Sequence, residues 1–175
     1  MMSNASEIGP GGLRRQRRGR SIAMSQAERD EYLRPRRTCR MATTGTQGPH
    51  ATALWFHWDG EALWFSSLAR SQRWADLARD PRVAVVIDDG DDYAELRGIE
   101  LRGQVEVVGD VPHVSETDPV LTVIDQAFAD KYTGGVVVRD GRHGWLRMRP
   151  DKISSWDFRK LPQDRSSAGA SSTSS

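Results

Sequence analysis

The pattern of apolar and polar positions changes three times between residues 62 and 86. An apolar and aromatic run at 62–65 ends in two serines, apolar positions then recur at helical spacing between residues 71 and 80, and a β-branched run occupies 83–87. Apolar runs of this length indicate strands, and a three- to four-residue repeat indicates an amphipathic helix. This stretch therefore predicts a strand, a loop, a short helix that ends at Asp80, and a second strand.

The chain on either side of this stretch also favours strands, at 38–44, 51–58, 93–108 and 143–158. Ser25 and Glu28 have the spacing of a capping box and open a helix that Pro35 stops. Asp118 opens the longest helix, which Gly134 ends. The whole pattern is typical of a mainly β protein with about six strands, mostly hairpin-linked, and three short helices. It favours a small antiparallel barrel.

Two details of this pattern are specific enough to check against a structure. The long strand at 93–108 carries Gly98 and Gly103 where a β-bulge or a close backbone approach would let it bend around a barrel. The longest helix is expected to present one apolar face, made of Val120, Leu121, Val123, Ile124, Ala127 and Phe128.

Length and composition indicate one domain with a tail at each end. Of the 175 residues, 1–20 are rich in Gly, Ser and Arg and are predicted to be a disordered basic tail, 21–160 form the domain, and 161–175 form a second disordered tail. A basic arm can bind nucleic acid, but no recognised nucleic-acid module accompanies it. The net charge of +1 gives no reason to expect nucleic acid or a membrane as partner.

The remaining composition favours a cytoplasmic protein without a metal. Cys39 is the single cysteine, which fits a reducing compartment, and it is expected to be a small buried hydrophobe. No apolar run reaches the ~20 residues that span a bilayer, and the N-terminus lacks the apolar core of a secretory signal. The acidic run at 88–92 is interpreted as a solvated connection, because Ile99 stands where a calcium loop needs a Glu. The histidines lack ligand-like spacing, so no metal is expected.

The start of the short helix concentrates groups that bind anions. Ser71 is a good N-cap, and Arg70, Gln72 and Arg73 surround the first turn. Free backbone N–H groups, hydroxyls and guanidinium groups converge where the helix dipole is positive, which suits a phosphate. The alternative is that both arginines are solvated surface residues and that the serines only cap the helix.

Motifs of several common enzyme classes are absent from the sequence. It contains no nucleophile elbow, no P-loop and no Gly-rich dinucleotide fingerprint after a strand. No catalytic acid is obvious. Tyr93 or Tyr132 could donate a proton, but a tyrosine in a barrel is more often structural.

Five segments of the chain form a recognisable set: SSLARSQR at 66–73 with the following DPRV, WFHWDG at 55–60, LRGQVEVV from Leu101, KYTGG at 131–135 and SSWDFRK at 154–160. Together, in their order along the chain, they resemble the pyridoxamine 5′-phosphate oxidase-like split-barrel family of flavin and deazaflavin oxidoreductases. The resemblance covers about residues 25–160. It implies a six-stranded antiparallel split barrel with short flanking helices, usually a homodimer, with the flavin or deazaflavin ring at the dimer interface and its phosphate at the start of the short helix.

The resemblance places the phosphate side of the cofactor at Ser66, Ser67, Arg70, Ser71, Gln72 and Arg73. Of these, Arg73 stands at a basic position that is commonly Lys in the family. Three residues later the family commonly has Asn, whereas this chain has Asp76, so that an acceptor replaces an amide donor.

The ring side is implied at Leu54, Trp55 and Phe56, which match the strand whose backbone and side chains line the ring. Apolar walls there would keep the reactive edge of the ring away from bulk water. The alternative is that these residues are plain core, as most apolar residues on barrel strands are.

The family pattern implies an oxidoreductase that uses the deazaflavin coenzyme F-420 to transfer hydride to a small conjugated organic substrate. The alternatives are an FMN-dependent enzyme of the pyridoxamine 5′-phosphate oxidase type and a non-catalytic flavin-binding or storage protein. Coenzyme F-420 carries a longer anionic tail than FMN, and Arg70 is the spare cation for it, with Arg97 or Arg102 as further candidates.

Overall fold

The computed structural model describes Leu13, Gln16 and residues 19–162. The two tails predicted at 1–20 and 161–175 therefore lie almost wholly outside the described residues. The helices are α1 (Gln26–Leu33), α2 (Gln72–Arg79) and α3 (Pro119–Tyr132). The strands are β1 (Thr38–Gly45), β2 (Gly48–Trp55), β3 (His57–Trp58), β4 (Leu63–Leu68), β5 (Arg82–Asp89), β6 (Arg97–Val108) and β7 (His143–Asp157). Single turns of 3-10 helix occupy 20–22, 93–95 and 158–160.

All seven strands form one antiparallel sheet in the order β2, β1, β5, β6, β7, β4, β3. The two edge strands, β2 and β3, are consecutive in the chain and are separated only by Phe56. Because one short connection joins both edges, the sheet must curl back on itself. The result is the mainly β split barrel that the sequence predicts, with short helices around it.

The sequence predicts one strand at 51–58, and the structure divides it at Phe56, which raises the strand count from six to seven. The Tyr132 hydroxyl of α3 accepts a hydrogen bond from the Phe56 N–H (3.1 Å) and lies 2.7 Å from the Phe56 carbonyl oxygen. The Lys131 ammonium also donates to that carbonyl, at 3.1 Å. Phe56 thus pairs its backbone with a helix rather than with a strand, which interrupts the ladder.

Both glycine predictions for the long strand are confirmed. The pairing of β6 with β7 shifts register between Arg102 and Gly103, as a β-bulge requires. At Gly98, a Cβ atom would lie 2.3 Å from the ring of Trp156, so that only glycine fits beneath this tryptophan. The closing segment, predicted as one or two strands, is a single strand, β7.

The barrel interior is filled by side chains that alternate inward along the strands. Fully buried members include Cys39, Met41, Phe56, Phe65, Ile87, Leu101 and Met148. Cys39 is thus the small buried hydrophobe expected from the sequence, and burial raises the pKa of its thiol to about 12. The α1 helix, opened by the predicted Ser25 capping box, covers the core with Tyr32 and Leu33.

The apolar face predicted for α3 is partly wrong. Leu121 and Ile124 are buried against Trp64 and Trp145, but Val120 and Val123 are 49% and 66% exposed. The buried face instead continues through Asp125 and Ala129. A pattern based on apolar residues misses this face because it counts a carboxylate as solvent-facing. Within the described part of the chain, no helix is long and apolar enough to cross a membrane.

Candidate functional site

The α2 helix begins as the sequence predicts. The Ser71 hydroxyl accepts from the Trp74 N–H at 3.3 Å, and the last backbone hydrogen bond runs from Asp80 to Asp76 before Pro81. Leu77 is buried and Trp74 packs on the core. These contacts fix the first turn of the helix, with Gln72 and Arg73, beside the middle of β2 and the end of β4.

The Arg73 guanidinium lies half-buried between these two strands. It donates to Thr52 Oγ1 from Nη1 (2.6 Å) and to Ser67 Oγ from Nη2 (3.1 Å) and Nε (3.3 Å). None of the carboxylates in the described residues forms an ion pair with it, and desolvation lowers its pKa. A half-buried cation that has only hydroxyl partners is electrostatically uncompensated, which favours a bound anion.

The two serines at the end of β4 face opposite sides of the strand. Ser67 is buried and holds Arg73. Ser66 is half-buried and lines a cavity on the α3 side. This separation follows from the two-residue period of a strand. The structure therefore brings Ser67 and Arg73 together and places Ser66 in a different environment.

Gln72 and Asp76 hold α2 onto the sheet. The Gln72 amide donates to Asp76 at 2.8 Å, Arg79 donates at 2.7 Å, and the Thr43 hydroxyl of β1 donates at 3.2 Å. These hydrogen bonds, that from Gln72 foremost, lower the pKa of the Asp76 carboxyl. The carboxylate also packs on Gly45, where a Cβ would lie 3.1 Å from it. Asp76 therefore serves as a structural acceptor under the helix.

Arg70 lines an open depression of about 560 Å³ with Ser71, Pro112 and Arg142. Among the described residues, the Arg70 and Arg142 side chains have neither a hydrogen bond nor an ion pair. Two unpaired guanidinium groups thus share one groove beside the start of α2, and Arg142 was not singled out by the sequence.

The other two candidate cations differ from this pair. Arg97 lies 3.1 Å from Asp157 and over the ring of Tyr32, and Arg102 is bonded to Glu100 at 2.8 Å. Their charges are compensated within the sheet, so they are poor candidates for an anionic tail.

The three predicted ring-side residues also differ in their environments. Phe56 is fully buried in the core, and Leu54 is half-buried, packed against the core, with its carbonyl near the Cys39 thiol. Trp55 is 49% exposed and stacks on Tyr132, with ring centroids 4.5 Å apart. Of the three, Trp55 offers its side chain to a ligand, whereas Leu54 and Phe56 offer mainly backbone.

A cavity of about 320 Å³ opens beside Trp55 and Ser66. Its other walls come from α3, from residues 136–140 and from the start of β7, and they include Phe128, Trp145 and His143. The volume lies at the lower end of the range for small-molecule sites.

A buried polar cluster lines this cavity and was missed by the sequence analysis. Asp125 Oδ2 lies 3.0 Å from His113 Nε2 and accepts from Arg139 Nη2 at 2.7 Å, while Asp125 Oδ1 accepts from the Trp145 indole at 2.9 Å. His113 and Asp125 are each 6% exposed. One sequence signal could have indicated the cluster, namely a carboxylate spaced one helical turn from Leu121 on a face that is otherwise apolar.

Comparison with known proteins assigns the family. The family model described as pyridoxamine 5′-phosphate oxidase matches residues 25–157. The chain therefore belongs to this family of flavin-binding split-barrel proteins, as its motifs imply. A search of curated proteins found none that matches.

Solved structures agree with this assignment. A conserved hypothetical protein from Mycobacterium tuberculosis is 32% identical, with coverage of 89% of this chain and 99% of that chain and a TM-score of 0.71. A protein described as F420 reductase is 28% identical, and the match covers 70% of this chain and 91% of that chain with a TM-score of 0.52. An FAD-binding protein from Mesorhizobium loti shares the fold. It is 17% identical, and the match covers 76% of this chain and 93% of that chain with a TM-score of 0.60.

Proposed function

We propose that this protein is a cytoplasmic, homodimeric oxidoreductase that uses coenzyme F-420 to transfer hydride to a small conjugated organic substrate. The observation that carries the proposal is the half-buried Arg73, which has hydroxyl partners and no carboxylate among the described residues. When bound, the reduced deazaflavin supplies the hydride. The residues of this chain bind the cofactor, orient it and exclude water.

Arg73 binds the first phosphate of the cofactor. A guanidinium has five N–H groups. Three of them, one each on Nε, Nη1 and Nη2, already donate to Ser67 or Thr52. The second hydrogens on Nη1 and Nη2 remain for the phosphate oxygens. The two hydroxyls thus fix the direction of the guanidinium before the ligand arrives, which reduces the entropy lost on binding.

Arg70 and Arg142 select the longer cofactor. Both line the groove next to Ser71 and lack partners in the described part of the chain. FMN ends at its phosphate, whereas coenzyme F-420 continues into a phosphodiester and a glutamyl tail that would meet these cations. The 28% identity to a protein described as F420 reductase supports the same choice. FMN is the alternative cofactor, because Arg73 would bind its phosphate equally well.

Trp55 and Ser66 border the ring. The backbone at Leu54 supplies the flat wall, and the exposed Trp55 face, which is held by its stack on Tyr132, covers an edge of the ring. Asp76 stands where the family commonly has Asn, and its carboxylate stays bonded beneath α2. The phosphate is therefore bound by Arg73 and by the N–H groups of the helix.

Titration of the purified protein with oxidised coenzyme F-420 and with FMN, followed by absorbance and fluorescence, tests the proposal. The deazaflavin is expected to bind more tightly. The reduced deazaflavin is then mixed with a panel of conjugated enones and quinones, and the oxidised chromophore is expected to return only when protein is present. Binding of neither cofactor would overturn the proposal, and binding without turnover on any acceptor would favour a cofactor-binding or storage protein.

A further inference from the structure

The cavity beside Trp55 differs in charge from the phosphate region. Its lining includes the carboxylates of Asp125 and Asp140 and the guanidinium of Arg139. Arg139 is bonded to Asp125 at 2.7 Å and to Glu116 at 2.8 Å. An anionic ligand would therefore meet two carboxylates and a cation that is already paired. The lining disfavours anions, in contrast to the unpaired arginines at the start of α2.

The walls of the cavity favour a flat molecule. Trp55, Phe128 and Trp145 all line it, and Phe128 and Trp145 meet edge to face with centroids 5.2 Å apart. Aromatic walls bind flat conjugated molecules by dispersion and by offset stacking. Trp145 is locked in place by its indole hydrogen bond to Asp125, so this wall is rigid.

One polar atom of the cluster lacks a partner. His113 Nε2 faces the Asp125 carboxylate, which places the imidazole hydrogen on Nε2 and leaves Nδ1 as an acceptor. Nδ1 is buried and has no hydrogen bond among the described residues. A buried polar atom without a partner is costly, and a ligand that supplies a donor would recover that cost. His113 itself is one of the residues that line the cavity, so its ring lies beside any ligand bound there.

We propose that this cavity binds the organic substrate, that the substrate is a flat, uncharged, conjugated molecule with an N–H or O–H donor, and that His113 Nδ1 accepts that donor. The inference rests on the proposed function, because it assigns the cavity to the acceptor of the hydride. Trp55 and Ser66 then stand between the cofactor ring and the substrate. Asp125 is a positioning residue, since it acts through His113.

The test uses the full-length protein and three probes of one shape in calorimetric titrations at pH 7.5. 2-Naphthol carries a donor, 2-methoxynaphthalene lacks it, and 2-naphthoate is an anion. We expect 2-naphthol to bind about three- to ten-fold more tightly than 2-methoxynaphthalene, the worth of one hydrogen bond, and 2-naphthoate to bind most weakly. Equal affinity for 2-naphthol and 2-methoxynaphthalene would overturn the role of His113, and tightest binding of 2-naphthoate would overturn the charge argument.

Two substitutions of His113 separate the acceptor role from a structural role. His113→Gln keeps an amide N–H for Asp125 but has no acceptor near the position of Nδ1, and it is expected to lose the preference for 2-naphthol. His113→Asn places an amide oxygen near that position and is expected to retain the preference. His57→Gln is the matched control, because His57 lies on β3 and is not among the residues that line the cavity, and it should also retain the preference. Loss of the preference in all three variants would contradict the assignment.

Competition with the cofactor distinguishes this inference from the proposed function. If FMN or coenzyme F-420 binds and leaves the affinity for 2-naphthol unchanged, both assignments stand. If either cofactor displaces 2-naphthol competitively, the cavity belongs to the ring of the cofactor and the inference fails while the proposed function survives. If neither cofactor binds but the preference for 2-naphthol is found, the proposed function fails and the cavity binds a ligand of another kind.

Discussion

Arg73 and Thr52 meet across the open side of the barrel, with Nη1 of the arginine 2.6 Å from the threonine hydroxyl. Thr52 lies on β2 and Arg73 on α2, while Ser67 on β4 completes the contact. Edge strand β2 and strand β4 are not paired with each other in the sheet, so this guanidinium connects elements that the ladder leaves apart. A ligand anion bound at Arg73 is thereby held at the seam of the barrel.

The first prediction concerns Arg73. Arg73→Ala is expected to weaken the binding of coenzyme F-420 and of FMN by about 1.5 to 3 kcal/mol, the range for a hydrogen bond to a charged partner, with the domain still folded. Titration with both cofactors measures the change. Arg82→Ala is the matched control, because Arg82 is exposed and bonded only to Asp80 beyond the far end of α2. Unchanged affinity for both cofactors would remove Arg73 from the site.

The second prediction separates the two cofactors by salt. If Arg70 and Arg142 contact the anionic tail, affinity for coenzyme F-420 should fall more steeply with salt than affinity for FMN, because exposed charges are screened. Replacing both arginines by Ala should reduce the slope for coenzyme F-420 to that for FMN. Arg102→Ala serves as the control, since Glu100 already compensates its charge. Equal slopes in the unmodified protein would favour FMN.

Local chemistry explains why much of the fold could be predicted. The caps at Ser25 and Ser71 and the stop at Pro81 act within a few residues, and the sequence shows them directly. The bulge at Gly103 and the close approach at Gly98 follow from glycine in a strand.

What the sequence could not supply was contact between distant residues. The interruption at Phe56 depends on the Tyr132 hydroxyl, 76 positions away. In the candidate site, the sequence places Arg70 and Arg73 at the start of the short helix, but Ser66 and Ser67 could not be assigned to different environments without the register of β4. The cavity cluster unites His113, Asp125 and Trp145 from a loop, a helix and a strand, a combination that no spacing in the chain reveals.

The third prediction concerns Asp76. Because its pKa is lowered in the folded protein, its carboxylate stabilises the fold above its usual pKa of about 4, and this contribution is lost as the pH falls through the lower folded value. Asp76→Asn should therefore reduce the free energy of unfolding at pH 7, and the difference from the unmodified protein should shrink below about pH 4. Urea unfolding across this range measures it, with Asp91→Asn as the exposed control. A difference that is independent of pH would contradict the ionised role.

The fourth prediction is that the protein is a homodimer. Trp55 is 49% exposed, Val136 and Val138 are 64% and 66% exposed, and all three line the cavity. Clustered apolar side chains of this kind are typical of interfaces. Sedimentation velocity at micromolar concentration should show a dimer, and Val138→Glu should shift it toward monomer. Val107→Glu, at a valine that is 53% exposed on β6, is the control. A monomer with cofactor bound would remove the model of a shared site.

The last prediction concerns Lys131, whose ammonium lies 4.6 Å from the centre of the Phe56 ring. Burial first, and the nearby charge of Arg37 second, lower its pKa to about 8, against about 10.4 in an unfolded chain. The unfolded state therefore binds more protons between these two values, so stability must rise with pH across this window. Relative to Lys131→Met, the unmodified protein should gain about 1 kcal/mol between pH 8 and 10.5, a value reduced for partial exposure. Tyr132, with its pKa raised to about 12 by burial, opposes this trend at the upper end of the window but is common to both proteins and cancels in the difference. Urea unfolding of both proteins at half-unit pH steps measures the effect, and parallel curves would show that Lys131 is solvated rather than held against Phe56.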